Sequence, residues 1–370
     1  MNVKKLSTKK VLDYLYPSVL LGTGRTKEIL RFNPNVIPQR EEAGEVKIYV
    51  YEYDTENLTE AQLTDIGESF HYKESSLVSW LNIDGLRKAD IEQVCEHYGI
   101  HPLVTEDILS INQRPKMEEI EGVLFCLLNM LYFNDLTKEV ETEQISIVLG
   151  KNFVISFQED AARDVFDPIR VRLKINGSKI RQRSADYLNY TLLDMIVDNY
   201  FTVMEKLSEQ FEELEEEVIR KSNTRSLAKI NKLRKELIVL KRNVGPVRDL
   251  VNGFFRSDSD LLEERHEKYY KDVYDHIIQA YDLSENYRDM VMNLQDLYIS
   301  QVNLRLNEVM KLMAIVTCLM APATVIGGIF GMNFDIIPYQ HYTWGFYVAV
   351  FIMLAIPCWM LFIFRRRGWY

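Results

Sequence analysis

The sequence is poor in the residues on which metal-dependent and redox enzymes rely. Its six histidines are scattered without ligand spacing. Its four cysteines (Cys95, Cys126, Cys318, Cys358) share no metal-binding interval and read as reduced packing residues of a cytosolic or membrane protein. No G-x-x-x-x-G-K-S/T loop, H-E-x-x-H pair or G-x-S-x-G elbow occurs, so neither an enzyme nor an organic cofactor is expected. A basic excess is also missing. With 54 Asp and Glu against 44 Lys and Arg, the net charge of −10 argues against nucleic acid as a partner and suits a soluble part that meets cations. The first ten residues are basic, but no apolar core follows them, so no signal peptide is expected. No repeat of 20–50 residues is evident.

Two further absences carry the architecture. Charge is missing from Leu312 to Phe334, 23 residues, and again from Trp344 to Phe364. A bilayer core of about 30 Å needs about 20 apolar helical residues, so both stretches are expected to span a membrane. The loop between them, Asp335–Thr343, has no Lys or Arg, whereas Arg365, Arg366 and Arg367 follow the second span. The positive-inside rule then places the loop outside and both termini in the cytoplasm. Glycine and proline are missing from Asp186–Arg220 and from Leu261–Met320, which therefore read as long helices.

What is present fills in the rest. Residues 1–40 read as irregular, with a Gly22-Thr23-Gly24 turn and breakers at Pro34 and Pro38. Val46–Tyr53 and Leu77–Ile83 read as strands, Lys88–Tyr98 as a helix and Gly122–Phe133 as a β-rich run. Gln144–Leu149 and Phe153–Phe157 flank Gly150-Lys151-Asn152 as a hairpin. The expected divisions are an α/β domain over 1–160, a helical region over 161–258, a stalk and first span over 259–334, a loop over 335–343, a second span over 344–364 and a basic tail over 365–370.

Within the helical region an acidic helix (Glu205, Glu209, Glu212, Glu213, Glu215, Glu216, Glu217) should turn at Lys221-Ser222-Asn223 into a basic one (Lys229, Lys232, Arg234, Lys235, Lys241, Arg242). The pair reads either as solvated, salt-bridged faces or as an acidic tip that gathers cations. Gly245-Pro246 should break the second helix.

Beyond it, Tyr270, Val273, Ile277, Ala280, Ser284, Tyr287, Val291, Leu294 and Tyr298 alternate spacings of three and four, a heptad stripe. At 1.5 Å per residue, Leu261–Phe330 would make a rod of about 105 Å. Several such rods joined along the stripe could enclose a conduit, so a homo-oligomer is expected. In the first span Asn307, Met310, Met313, Thr317, Ala321, Thr324 and Gly328 share one face, which suits a lumen or ordinary helix packing. Gly331-Met332-Asn333 closes the span. Gly331 permits an unusual turn, and a ring of neutral oxygens from Asn333 could hold a hydrated Mg²⁺ without binding it too tightly.

That triplet, at the end of the first of two C-terminal spans, resembles the signature of the CorA magnesium/cobalt channels. So do Gly99-Ile100-His101-Pro102-Leu103, Glu106-Asp107-Ile108-Leu109, Gln113-Arg114-Pro115-Lys116, the Asp186–Asp194 stretch, Arg288-Asp289 and Asn307–Lys311. The resemblance covers nearly everything after residue 40 and is close to the family's thermophilic bacterial member. It implies a funnel-shaped homopentamer in the inner membrane, conducting Mg²⁺ and Co²⁺. Gly331, Met332 and Asn333 would form the selectivity filter. Asn307, Thr324 and Gly328 would line the polar pore, with Met310 and Met313 at its constriction. It also implies a regulatory Mg²⁺ site from Glu106, Asp107, Asp194, Asp272 and His276, bridging subunits and closing the pore when cytosolic Mg²⁺ is plentiful.

Three positions depart from the family pattern. Ala321 replaces a bulky apolar residue, Tyr339 after Pro338 replaces an acid so that Asp335 alone charges the loop, and the basic tail is short. Competing readings are a transporter of Co²⁺, Ni²⁺ or Zn²⁺, and a membrane-anchored coiled-coil scaffold without ion flux.

Overall fold

The computed structural model describes residues 46–111, 113–160, 163–332 and 342–369. The expectations for residues 1–40, and for Asn333, Asp335, Pro338 and Tyr339, lie outside the described residues. The chain runs β1 (Lys47–Tyr53), β2 (Leu58–Leu63), a 3-10 helix (Ile66–Glu74), β3 (Val78–Asp84), α1 (Lys88–Tyr98), α2 (Pro102–Leu109), β4 (Lys116–Ile120), β5 (Val123–Asn134), β6 (Glu139–Leu149) and β7 (Phe153–Gln158). Helices α3 (Asp167–Lys174), α4 (Ala185–Lys221), α5 (Thr224–Arg256), α6 (Glu267–Phe330) and α7 (Gly345–Arg366) follow.

The strands form one seven-stranded sheet in the order β2-β1-β3-β7-β6-β5-β4. Only β3 and β7 pair in parallel among the described strands. The hairpin expected at Gly150 is there: β6 pairs antiparallel with β7, and Gly150 N–H donates to the Phe153 carbonyl at 2.9 Å. Strand β7, central in the sheet, is buried along its whole length, as a strand covered on both faces must be. One layer of the core joins Ile83, Phe125, Val148 and Phe157 of the sheet to Ile91 and Val94 of α1 and Val104 and Ile108 of α2. Each such fully buried side chain stabilises the fold by roughly 1.5–3 kcal/mol.

Contacts divide the chain into two compact units, Met1–Glu216 with Thr224–Leu294, and Glu217–Asn223 with Gln295–Tyr370. The division expected at residue 160 therefore falls inside the first unit. Its reason is α5, which packs on β4, β5 and β6. The turn expected between the acidic and basic helices lies at Ser222 and Asn223. Glu205, Glu209, Glu212, Glu213, Glu215 and Glu216 are exposed, and two of the basic residues, Lys232 and Lys241, pair with Glu139 and Glu285.

Three expectations need correction. Gly245-Pro246 does not break α5, which is helical throughout with Pro246 inside it. Burial of Val244, Val247, Leu250 and Val251 on the same helix outweighs the lost hydrogen bond. The long helix starts at Glu267, not Leu261, because buried Asp186 captures the preceding turn. Its Oδ2 accepts from the Glu263 N–H at 3.0 Å and lies 2.7 Å from His266 Nδ1. Arg183 Nη1 sits 3.1 Å from His266 Nε2, and a guanidinium only donates, so Nε2 accepts and Nδ1–H donates to Asp186.

The third correction concerns the heptad stripe. All of its residues from Tyr270 to Leu294 are buried, but within one chain. Tyr270 stacks on Phe254 of α5 at 4.5 Å, and Tyr287 Oη donates to the Met204 carbonyl of α4 at 3.2 Å. The stripe is an intramolecular seam, so it cannot also join subunits. A period of 3.5 marks a helix that packs on helices and does not say whose they are.

Candidate metal centre

Two helices bring metal-ligating groups together in the first unit. Asp194 and Asp198 are four residues apart on α4, and Asp272 and His276 are four apart on α6, so each pair shares a face. His276 Nδ1 lies 3.5 Å from Asp198 Oδ1 and 3.9 Å from Asp194 Oδ1. One ligand atom from each of the three residues falls within 4.8 Å of the others. Asp194 Oδ1 and His276 Nδ1 are buried atoms without a hydrogen-bond partner, which suits atoms that face a cation. Tyr190 Oη donates to the other Asp194 oxygen at 3.5 Å. Burial and the neighbouring Asp198 raise the Asp194 carboxyl to about 6, His276 opposes them, and Asp272 adds to them. The residues present therefore fit a divalent ion: carboxylates suit Mg²⁺, and an imidazole widens the set to Co²⁺.

Of the expected regulatory residues, the structure brings Asp194 and His276 together and sets Asp272 beside them. Asp198 was not anticipated; its signal was the four-residue spacing from Asp194 on a helix free of glycine and proline. Glu106 and Asp107 lie elsewhere, on α2. A local stop and start puts them there. Gly99 takes a left-handed φ of 73° and ends α1, with Ile100 N–H bonded to the Cys95 carbonyl at 2.8 Å. His101 Nδ1 then accepts from Leu103 N–H at 3.1 Å and Pro102 opens α2. Gln144 pins the helix by donating to the carbonyls of Asp107 at 3.2 Å and Ile108 at 3.4 Å.

Glu106 is exposed, whereas Asp107 is half-buried and already has a cation. Lys116 Nζ is 2.7 Å from Asp107 Oδ2 and 3.1 Å from Glu118 Oε1. Burial lowers the Lys116 pKa, but the two carboxylates outweigh it and hold the ammonium above its ordinary value.

The second unit carries the other expected site. Asn307, Met310, Met313, Thr317, Ala321, Thr324 and Gly328 are all exposed on α6. Thr317 Oγ1 donates to the Met313 carbonyl at 2.8 Å and Thr324 Oγ1 to the Met320 carbonyl at 3.0 Å. With the hydroxyl protons used on the helix, both oxygens are left as acceptors. After Phe330 the N–H of Gly331 still bonds the Gly327 carbonyl at 3.0 Å. Gly331 lies in a turn, as expected, without a left-handed backbone. Its small size matters instead, since a Cβ would lie 3.1 Å from the Gly327 oxygen. Helices α6 and α7 are long and apolar enough to cross a membrane. Arg365 and Arg366 extend α7 and Arg367 caps it, with Trp369 stacked on Phe364 at 5.2 Å.

A family model described as CorA-like Mg²⁺ transporter protein matches residues 75–366. The chain is 37% identical over 370 residues to the cobalt/magnesium transport protein CorA of Thermotoga maritima, covering 100% of both. Among solved structures, the complete CorA magnesium transporter of Methanocaldococcus jannaschii superposes with a TM-score of 0.70 at 23% identity, covering 87% of this chain and 98% of that one. The full-length CmaX protein superposes with a TM-score of 0.64 at 18% identity, covering 89% and 99%. The last two likenesses speak to the fold.

Proposed function

The chain belongs to the CorA-like Mg²⁺ transporter family, and on that premise we propose that it is a homo-oligomeric, pentameric channel that admits Mg²⁺, and also Co²⁺, across the cell membrane. The observation that carries the reading is the full-length likeness to a cobalt/magnesium transport protein, with Gly331-Met332-Asn333 closing the first of two C-terminal spans.

Gly331, Met332 and Asn333 form the filter. Mg²⁺ dehydrates reluctantly, so it is met there by neutral oxygens that bind its water shell. Along the pore, the acceptor oxygens of Thr317 and Thr324 suit that shell, because metal-bound waters point their O–H groups outward. Met310 and Met313 narrow the path. Glu106, Asp107, Asp194, Asp272 and His276, joined by Asp198, hold regulatory cations on the cytoplasmic side, and their occupancy closes the pore. Arg365, Arg366 and Arg367 hold α7 at the cytoplasmic surface.

The test is Mg²⁺ uptake into liposomes containing the purified chain, beside Asn333→Ala. Uptake abolished by Asn333→Ala with assembly unchanged is the expected result. Equal uptake in both removes Asn333 from the filter. No uptake in either, with internal Mg²⁺ chelated, favours the scaffold reading.

A further inference from the structure

Asp107 does not wait bare for a metal ion. Its Oδ2 is 2.7 Å from Lys116 Nζ, and both side chains are partly sheltered, at 16% and 31% exposure. The two come from rigid parts. Lys116 opens β4 opposite Leu127 of β5, and Asp107 sits on α2 where Gln144 holds the backbone. A divalent ion binds a carboxylate oxygen at about 2.1 Å. An ammonium already hydrogen-bonded to that oxygen stands in the ion's approach, and its charge repels the ion. The two cations therefore compete for Asp107.

The displaced ammonium also has somewhere to go. Glu118 Oε1 is 3.1 Å from the same Nζ, and Lys116 and Glu118, two apart on one strand, point to the same side of the sheet. Lys116 can leave Asp107 and remain paired.

We infer that Lys116 is a tethered counter-ion of Asp107 that an incoming divalent cation must displace onto Glu118, so that this lysine sets the cytosolic Mg²⁺ concentration at which the channel closes. The inference rests on the reading of Asp107 as a regulatory ligand. It also changes what opening means. When Mg²⁺ leaves, Asp107 is neutralised by its own chain instead of repelling other acids.

The experiment is uptake into liposomes containing the full chain at graded internal Mg²⁺, with assembly checked by size exclusion. Lys116→Met should lower the half-inhibitory Mg²⁺ about tenfold, equivalent to about 1.4 kcal/mol. Lys116→Arg should stay near wild type because it keeps the charge. Glu118→Gln should raise the half-inhibitory value, because the lysine loses its alternative partner. Lys116→Met in an Asp107→Asn background should have no further effect. A lysine needed only for folding would weaken closure or assembly and could not sharpen closure. If Asp107→Asn raises the half-inhibitory Mg²⁺ but Lys116→Met fails to lower it, the counter-ion role is overturned and the ligand reading stands. If Asp107→Asn itself changes nothing, the ligand reading fails and the inference falls with it.

Discussion

Glu143 is 3% exposed on β6, and burial lifts its carboxyl to about 7. Its hydrogen bonds show which protonation state fits. Oε1 accepts the N–H groups of Glu159 at 3.0 Å and Asp160 at 2.9 Å. Oε2 is 2.9 Å from Tyr132 Oη, which also contacts the Arg163 carbonyl. Tyr132 has one proton, and the carbonyl can only accept. A protonated Glu143 lets Oε2–H donate to Tyr132 while Tyr132 donates to Arg163. The folded pKa is raised, so the favourable contribution is complete below the unfolded value near 4.5 and is lost as pH rises through about 7. Glu143→Gln reproduces the donor permanently. It should flatten the decline in thermal stability of the full chain across that window, by on the order of 1–3 kcal/mol at pH 8. Melting curves at pH 5 and pH 8 check it.

At the element scale, α6 shows how one helix serves two environments. Its first part buries Val273, Ile277 and Ala280 against the same chain, and its later part exposes a face that begins at Asn307. Ile277→Ala deletes buried methyl groups from the first part and should destabilise the chain by about 2–5 kcal/mol. The oligomeric state should not change, because the stripe is filled from within. Thermal melting and light scattering of the detergent-solubilised chain read the two effects separately. A stripe that joined subunits would instead dissociate the assembly.

At the scale of the whole molecule, a cation held at the centre proposed between α4 and α6 would compete with protons for it. Asp194 is raised to about 6, so its contribution to stability is full below about 3.8 and is lost as pH climbs through about 6. Above that pH its half-buried charge is costly, and a cation bound there would offset the cost. Mg²⁺ or Co²⁺ should therefore raise the melting temperature at pH 7.5 and cease to do so as pH falls through about 6. Asp198→Asn should weaken the effect at pH 7.5. A metal-induced shift that is independent of pH and of Asp198 would rule out this centre as the stabilising site.

Much of this was legible beforehand because it depends on local chemistry. The absence of charge from Leu312 to Phe334 marks a span wherever it is placed, since an unpaired charge in hydrocarbon is costly. Helix α1 at Lys88–Tyr98, the turn at Ser222 and Asn223 and the hairpin at Gly150 follow from periodicity and turn residues. The motif around Gly331 and the acids at Glu106, Asp107 and Asp194 were visible through family resemblance. The short strands β2 and β4 were not, because their alternation is too brief to stand above the surrounding loops.

What only the tertiary structure decided is who meets whom. It gave the heptad stripe to α4 and α5 of the same chain, carried α5 through Pro246, delayed the start of α6 to Glu267, set Asp198 beside His276 and laid Lys116 on Asp107. Periodicity states that a face must be covered and charge that an acid must be compensated. The covering helix and the compensating cation come from residues distant in sequence, and only packing brings them within reach.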